Sequence, residues 1–252
     1  MNVKMVVTDL DGTLLRDDKT ISERTLSALK RCRDKGLKVV YATGRGVSAG
    51  DVAPAELFDG FAQCNGATAQ IGDTLIYSKR IEIDKARPLL LAADVRGIEI
   101  VAECDDFHFA NFNLAERWER FKDYAKFTDF KTLSGKADKL YTSSATQEII
   151  DFLHTHISAD MYITISNDGF AFVMHKGATK SKAVNALATE WRINPSEIVS
   201  FGDDTNDIDL LDFCGISVAM ENALENVKKS ANVICDTNEN DGVAKWLEEN
   251  IL

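Results

Sequence analysis

The spacing of apolar residues shifts from element to element along this chain and predicts alternating strands and helices at both ends. Val3 to Thr8 is a short apolar run ending at Asp9. Thr20-Ile21-Ser22-Glu23 has the spacing of a capping box, a start signal for a helix. Thr25, Ala28, Leu29 and Cys32 then recur at i, i+3, i+4 and i+7, as one face of that helix would. Gly36 is placed to end it, and Leu37 to Tyr41 returns as a second strand running into Ala42-Thr43-Gly44-Arg45. Strand, helix and strand in this order predict a parallel pair with a right-handed crossover.

The last third repeats the pattern. Val184, Leu187, Ala188 and Trp191 mark a helix face, Asn194-Pro195 is a break, and Ile198 to Phe201 is a strand ending at Gly202-Asp203-Asp204-Thr205-Asn206-Asp207. Ile216 to Ala219 and Val233-Ile234 read as two more strands, and a final helix starts near Asp241. The middle differs. Met161 to Ile165 and Phe170 to Val173 flank Asn167-Asp168-Gly169, a pattern that predicts an antiparallel hairpin. Ile98 to Ala102 and Phe107 to Phe109, separated by Glu103-Cys104-Asp105-Asp106, predict another, with helices near 115–124 and 146–156. The expected fold is α/β: a parallel-sheet core from residues 1–81 and 179–252, interrupted by an inserted α+β domain over 82–178.

Composition narrows the partners. With 40 acidic against 29 basic residues the formal charge is −11, which argues against nucleic acid or an anionic membrane, since both need basic surface. It does not exclude a small phosphorylated substrate, because a metal and a few local cations can reverse the field inside one pocket. No apolar run approaches the roughly 20 residues needed to span a bilayer, and Asp9 arrives too early for a signal-peptide core. Cys32, Cys64, Cys104, Cys214 and Cys235 are odd in number and show no C-x-x-C spacing, so reduced thiols and a cytoplasmic location are expected.

The candidate chemistry sits where strands end. Asp9 and Asp11 are two carboxylates closing a buried strand, a costly placement without counter-charge, and the Asp203–Asp207 cluster closes another. In an open parallel sheet, ligands bind beyond the carboxyl ends of the strands, so Asp9, Thr43 and Asp203 can converge there. These residue types suit phosphoryl transfer. Asp9 would attack phosphorus as a carboxylate nucleophile. Mg²⁺ would take Asp9, the carbonyl of Asp11 and Asp203, with Asp207 bound directly or supporting them. Thr43, the N–H groups near Leu10 and Gly44, Lys180 and Asn206 would hold phosphate oxygens, with Arg45 counted among the substrate-binding residues. Asp11 would protonate the leaving alcohol and later deprotonate water. Each has a plainer reading: Thr43-Gly44 as a strand-to-helix turn, Lys180 as a solvated lysine, Asn206 and Asp207 as a helix cap. A calcium loop is disfavoured, because glycine is fourth instead of sixth and the closing glutamate is missing.

DLDGT at Asp9–Thr13, ATGR at Ala42–Arg45, ATKSKA at Ala178–Ala183 and GDDTND at Gly202–Asp207 together resemble the four ordered motifs of haloacid-dehalogenase-like phosphatases, and more narrowly the Cof-type sugar-phosphatase branch. Asn65-Gly66-Ala67, Val218-Ala219-Met220 with Asn222-Ala223, and Asp241-Gly242-Val243 are further similarities. The resemblance implies a Rossmann-like core with an inserted cap and Mg²⁺-dependent hydrolysis of phosphate monoesters. It assigns Asp9 as nucleophile and Asp11 as acid/base. Glu221 departs from it, standing where the family often has glycine. A phosphosugar mutase or phosphotransferase on the same core is the alternative, and a phospho-aspartate switch is a second one that Asp11 disfavours by promoting turnover. Substrate choice is expected in the cap, with Glu103, Asp105, Asp106, His108 and His175 as candidates and solvated loop surface as their plainer reading. An acidic cap edge would favour neutral or cationic leaving groups.

Overall fold

Met5, Val6 and Val7 are all fully buried although neighbours on a strand face opposite ways, because both faces of the sheet they join are covered. In a computed structural model, which describes residues 2–105, 107–166 and 169–252, Met5–Thr8 lies near the middle of an eight-stranded sheet. Its order is Val233–Cys235, Ile216–Met220, Ile198–Gly202, Met5–Thr8, Lys38–Ala42, Gly60–Gln63, Thr68–Ile71 and Thr74–Ser78. The first six strands run parallel and the last two join antiparallel. One face packs Val6, Leu10, Leu29, Val39, Phe201 and Trp246; the other packs Met5, Val7, Val40, Val184, Leu187 and Leu210.

The helix after the first strand is Glu23–Asp34 and buries Thr25, Ala28, Leu29 and Cys32, the face its periodicity predicts. Its cap differs from the expectation. Ser22 is the N-cap, accepting from the Thr25 N–H at 3.1 Å, while Thr20 bonds to Asp18 instead. Thr20 stands outside because Lys19 adopts a left-handed φ of 67°, which turns the chain before the helix begins. Gly36, at φ 85°, ends the helix, with the Leu37 N–H reaching back to the Cys32 carbonyl at 3.1 Å.

Two compact units share the chain: residues 1–78 with 179–252, and residues 79–178. Residues 79–81 fall in the second unit, where Ile81 is buried and paired with Ala137. That unit holds a six-stranded sheet in the order Met161–Ile165, Ala171–His175, Lys139–Thr142, Val101–Cys104, Phe107–Ala110 and Ala125–Phe127. Helices Ile83–Val95 and Gln147–His156 contribute to its apolar core. Both expected hairpins pair antiparallel, although Glu103 and Cys104 lie within a strand instead of the turn. Of the turn residues, Asp106, Asn167 and Asp168 lie outside the described residues. The helix expected over 115–124 is only Leu114–Arg117, broken at Trp118, whose φ/ψ is extended, and followed by a single 3₁₀ turn.

Among the described residues no helix is long and apolar enough to cross a membrane, and all five cysteines are free.

Candidate active site

Three adjacent parallel strands deliver the site. Thr8 is level with Phe201 on one side and Tyr41 on the other, so Asp9, Asp203 and Thr43 leave the sheet at the same carboxyl edge. The Asp9 N–H extends the ladder by one bond to the Phe201 carbonyl, 3.0 Å away. Residues distant in sequence become neighbours because parallel strands stack in register.

Lys180 starts the helix Lys180–Glu190 and is 1% exposed. Its Nζ donates to Asp9 Oδ1 at 2.7 Å and Asp207 Oδ1 at 2.5 Å. The solvated-lysine reading does not hold for this residue. Burial by itself would lower its pKa, but the charges of Asp207 and Asp9 outweigh that and push it up. Asp207 is fully buried. Its Oδ2 accepts from the N–H groups of Asp203 and Asp204 at 3.0 and 3.1 Å, so it holds the loop as well as the lysine. Gly202 is required beneath it, since a Cβ there would strike the Asp207 side chain.

Asp203 Oδ1 accepts from the Thr13 hydroxyl at 2.6 Å. The Thr13 hydroxyl therefore positions the Asp203 carboxylate. Gly12, at φ 76°, lies against the Asp203 carboxylate, where any Cβ would collide. The Leu10 side chain is fully buried, and its carbonyl accepts from the N–H groups of Thr13 and Leu15, closing the turn. Thr43 is buried, and its hydroxyl accepts from the Arg45 N–H at 3.2 Å. Asn206 Nδ2 donates to Asn65 Oδ1 at 2.9 Å, beside Gly44.

Asp11 and Arg45 are arranged differently from the expectation. The Arg45 guanidinium grips the Asp11 carboxylate through Nε at 2.5 Å and Nη2 at 2.7 Å. Lys19 Nζ adds a third contact at 2.9 Å. Burial raises the Asp11 pKa, but the bonds from Arg45 and Lys19 win and bring it down to about 2. Arg45 is thus the partner of Asp11 in this structure, whereas Lys180 bonds Asp9 directly. No spacing in the sequence signals the Asp11–Arg45 pair.

The carboxylates of Asp9, Asp203 and Asp207 each bring an oxygen within 4.8 Å of the other two. Against these three charges Lys180 supplies one. Burial first, and the neighbouring Asp207 second, raise the Asp203 pKa to about 7, and burial likewise raises that of Asp9. Hard oxygen donors carrying uncompensated negative charge fit Mg²⁺.

A stability prediction follows from that excess charge. A carboxylate whose pKa is raised on folding stabilises the fold while protonated, and this contribution is lost as pH rises from about 4 through its folded value near 7. Mg²⁺ held by these carboxylates would need them ionised, so it should raise the melting temperature more at pH 8 than at pH 5. At roughly 100 times its dissociation constant the gain should be on the order of 5 °C. Calorimetric scans checking this would count against the site if the shift were absent, or larger at pH 5.

Among the cap candidates, Glu103 and His108 are buried, not solvated loop residues. Glu103 pairs with Lys139 at 3.2 Å, and His108 Nδ1 lies 3.0 Å from the Tyr141 hydroxyl. Asp105 is ion-paired to Arg80, so this edge is not a bare acidic one. His175 Nδ1 accepts from the Gly177 N–H at 2.8 Å.

Residues 6–247 match the family model of haloacid dehalogenase-like hydrolases. A 5-amino-6-(5-phospho-D-ribitylamino)uracil phosphatase of Bacillus subtilis, YitU, is 28% identical over 97% of this chain and 96% of its own. A phosphoglycolate phosphatase of Methanopyrus kandleri is 27% identical, again over 97% and 96%. The solved structure of the subclass IIB sugar phosphatase BT4131 superposes with a TM-score of 0.84 at 26% identity, covering 98% of both chains. The chain belongs to the haloacid dehalogenase-like hydrolases, in their Cof-type phosphatase branch.

Proposed function

We propose that this enzyme hydrolyses small phosphate monoesters, sugar phosphates or related metabolites, in a Mg²⁺-dependent reaction through an aspartyl-phosphate on Asp9. The observation that supports the reading most is Lys180 Nζ bridging Asp9 and Asp207 at the carboxyl edge of the sheet, with Asp203 close by. Lys180 fixes Asp9 Oδ1 and leaves the second oxygen for attack on phosphorus. The bond from phosphorus to the ester oxygen breaks, and the leaving oxygen takes a proton. Water then attacks the aspartyl-phosphate, gives up its proton, and releases Asp9 and inorganic phosphate. Lys180, Thr43, Asn206 and the N–H groups at Leu10 and Gly44 offset charge on the phosphoryl oxygens. Asp9, Asp203 and the Asp11 carbonyl, with Asp207 in support, would hold Mg²⁺, which would supply positive charge to offset the negative charge developing in the reaction.

Asp11 is the acid/base group in this reading. Gripped by Arg45 and Lys19 it is a carboxylate, the form that takes a proton from water. Serving as an acid toward the leaving oxygen requires those two cations to let go. Asp11→Asn should leave attack possible but slow hydrolysis of the intermediate by about 10²- to 10⁴-fold. Radiolabelled phosphate should then stay on acid-precipitated protein; rapid loss of the label would remove Asp11 from this role.

The relatives named above act on a ribitylaminouracil phosphate, phosphoglycolate and sugar phosphates. All are small monoesters, which supports the class and leaves the particular substrate to experiment. Phosphate release over a panel of phosphorylated metabolites, with Mg²⁺ and with EDTA, tests the reading. Release with Mg²⁺ and no acceptor is expected. Transfer only when a sugar acceptor is added would favour the mutase or phosphotransferase alternative.

A further inference from the structure

Cys64, Asn65 and Gly66 adopt consecutive left-handed conformations, with φ of 49°, 53° and 85°. Two of the three carry side chains, and such positions persist only where the surroundings over-determine them. Here they do. The Cys64 N–H donates to the Arg45 carbonyl at 2.8 Å and the Asn65 N–H to the Thr43 carbonyl at 2.9 Å. Gly66 is pressed against the Thr179 carbonyl so closely that a Cβ would collide. The turn is therefore clamped between the strand end bearing Thr43 and the start of the Lys180 helix.

The conformation places the Asn65 side chain on Asn206. Asn65 is 8% exposed, and its Oδ1 takes one N–H of Asn206 Nδ2. An amide oxygen can only accept, so this contact holds the nitrogen of Asn206 toward Asn65 and Gly44 and keeps a second N–H for a ligand. The other end of the same amide is independently informative. Asn206 Oδ1 is buried without a hydrogen-bond partner among the described residues, an exception that a bound water or a protonated ligand oxygen would satisfy.

We propose that Asn65 is a positioning residue of this enzyme, which acts through Asn206 to set the donor that holds the substrate phosphate. The inference rests on the phosphatase reading above and assigns it a residue outside the four chemistry-bearing motifs. A backbone role and a side-chain role can be separated here, because glycine adopts φ 53° without strain and alanine only at a cost.

Asn65→Gly should melt near the wild-type temperature, and Asn65→Ala should melt lower. Both should lose affinity for inorganic phosphate, measured calorimetrically with Mg²⁺, by about 5- to 10-fold, the effect of one hydrogen bond. Hydrolysis of para-nitrophenyl phosphate should show the same factor in KM with little change in kcat. In an Asn206→Ala background, Asn65→Gly should add less than about twofold, since residues acting as one unit are not additive. Full additivity in that cycle, or Asn65→Gly kinetics and phosphate affinity within twofold of wild type, would overturn the proposal. Absence of phosphate release by the wild-type enzyme itself would instead strike the phosphatase reading.

Discussion

Replacing Asp9 by asparagine is expected to abolish phosphate release, by roughly 10⁴-fold or more, and to leave the protein folded. Removal of a covalent nucleophile costs on the order of 10⁴ to 10⁶ in kcat, and an amide of the same shape cannot form the acyl phosphate. The fold should tolerate the change for an electrostatic reason. Burial raises the Asp9 pKa, and Asp207 and Asp203 add to the rise. The ionised side chain is therefore held against a penalty that asparagine does not incur. Lys180 still has Asp207 at 2.5 Å, so no cation is stranded. Phosphate release and a melting scan check both halves, and near-normal turnover in this variant would remove Asp9 from the nucleophile role.

Lys180→Met is expected to have the largest effect on stability. The methionine fills a similar volume but leaves Asp9, Asp203 and Asp207 without their ammonium. Breaking a buried ion pair by removing one partner costs about 3–5 kcal/mol, or a fall on the order of 10 °C for a chain of this size. The sign with pH is fixed by the raised carboxylates. Below their folded pKa values they are protonated and need no counter-charge, so the loss should be smaller at pH 5 than at pH 8. Added Mg²⁺ should restore part of it at pH 8, through the carboxylates that remain. Melting scans of the wild type and variant at the two pH values measure this, and equal stability at pH 8 would mean that Lys180 does not balance the cluster.

How far these residues could be read in advance differs from one to the next. The face Thr25, Ala28, Leu29 and Cys32 was legible because burial follows the helical period. Thr20 and Ser22 both have capping chemistry, and local spacing does not choose between them; the left-handed turn at Lys19 does. The helix Ile83–Val95 is poorly signalled in the sequence because Pro88 lies inside it and Leu89 to Ala93 are all apolar, which blurs the face formed by Ile83, Ala86, Leu90 and Ala93. The antiparallel strands Thr68–Ile71 and Thr74–Ser78 are short and the second lacks a clear alternation of apolar and polar residues, so the two-residue turn Gly72-Asp73 between them is their main local signal.

The site divides in the same way. Asp9, Asp203 and Lys180 were legible because each stands directly after a strand end or at a helix start in a recognisable motif. The duties of Thr13, Arg45 and Asn65 were not, because each depends on a partner far along the chain. Thr13 meets Asp203 across 190 positions, Arg45 meets Asp11 across 34, and Asn65 meets Asn206 across 141.

By itself the sequence determined the alternation of strands and helices, the parallel core and the chemical types gathered at its carboxyl edge, since these follow from periodicity and local motif. Tertiary structure alone decided which polar group answers which. It gave Lys180 to Asp9 and Asp207, Arg45 and Lys19 to Asp11, and Asn65 to Asn206, because side-chain pairing is set by strand register and loop conformation, which local residue types do not encode.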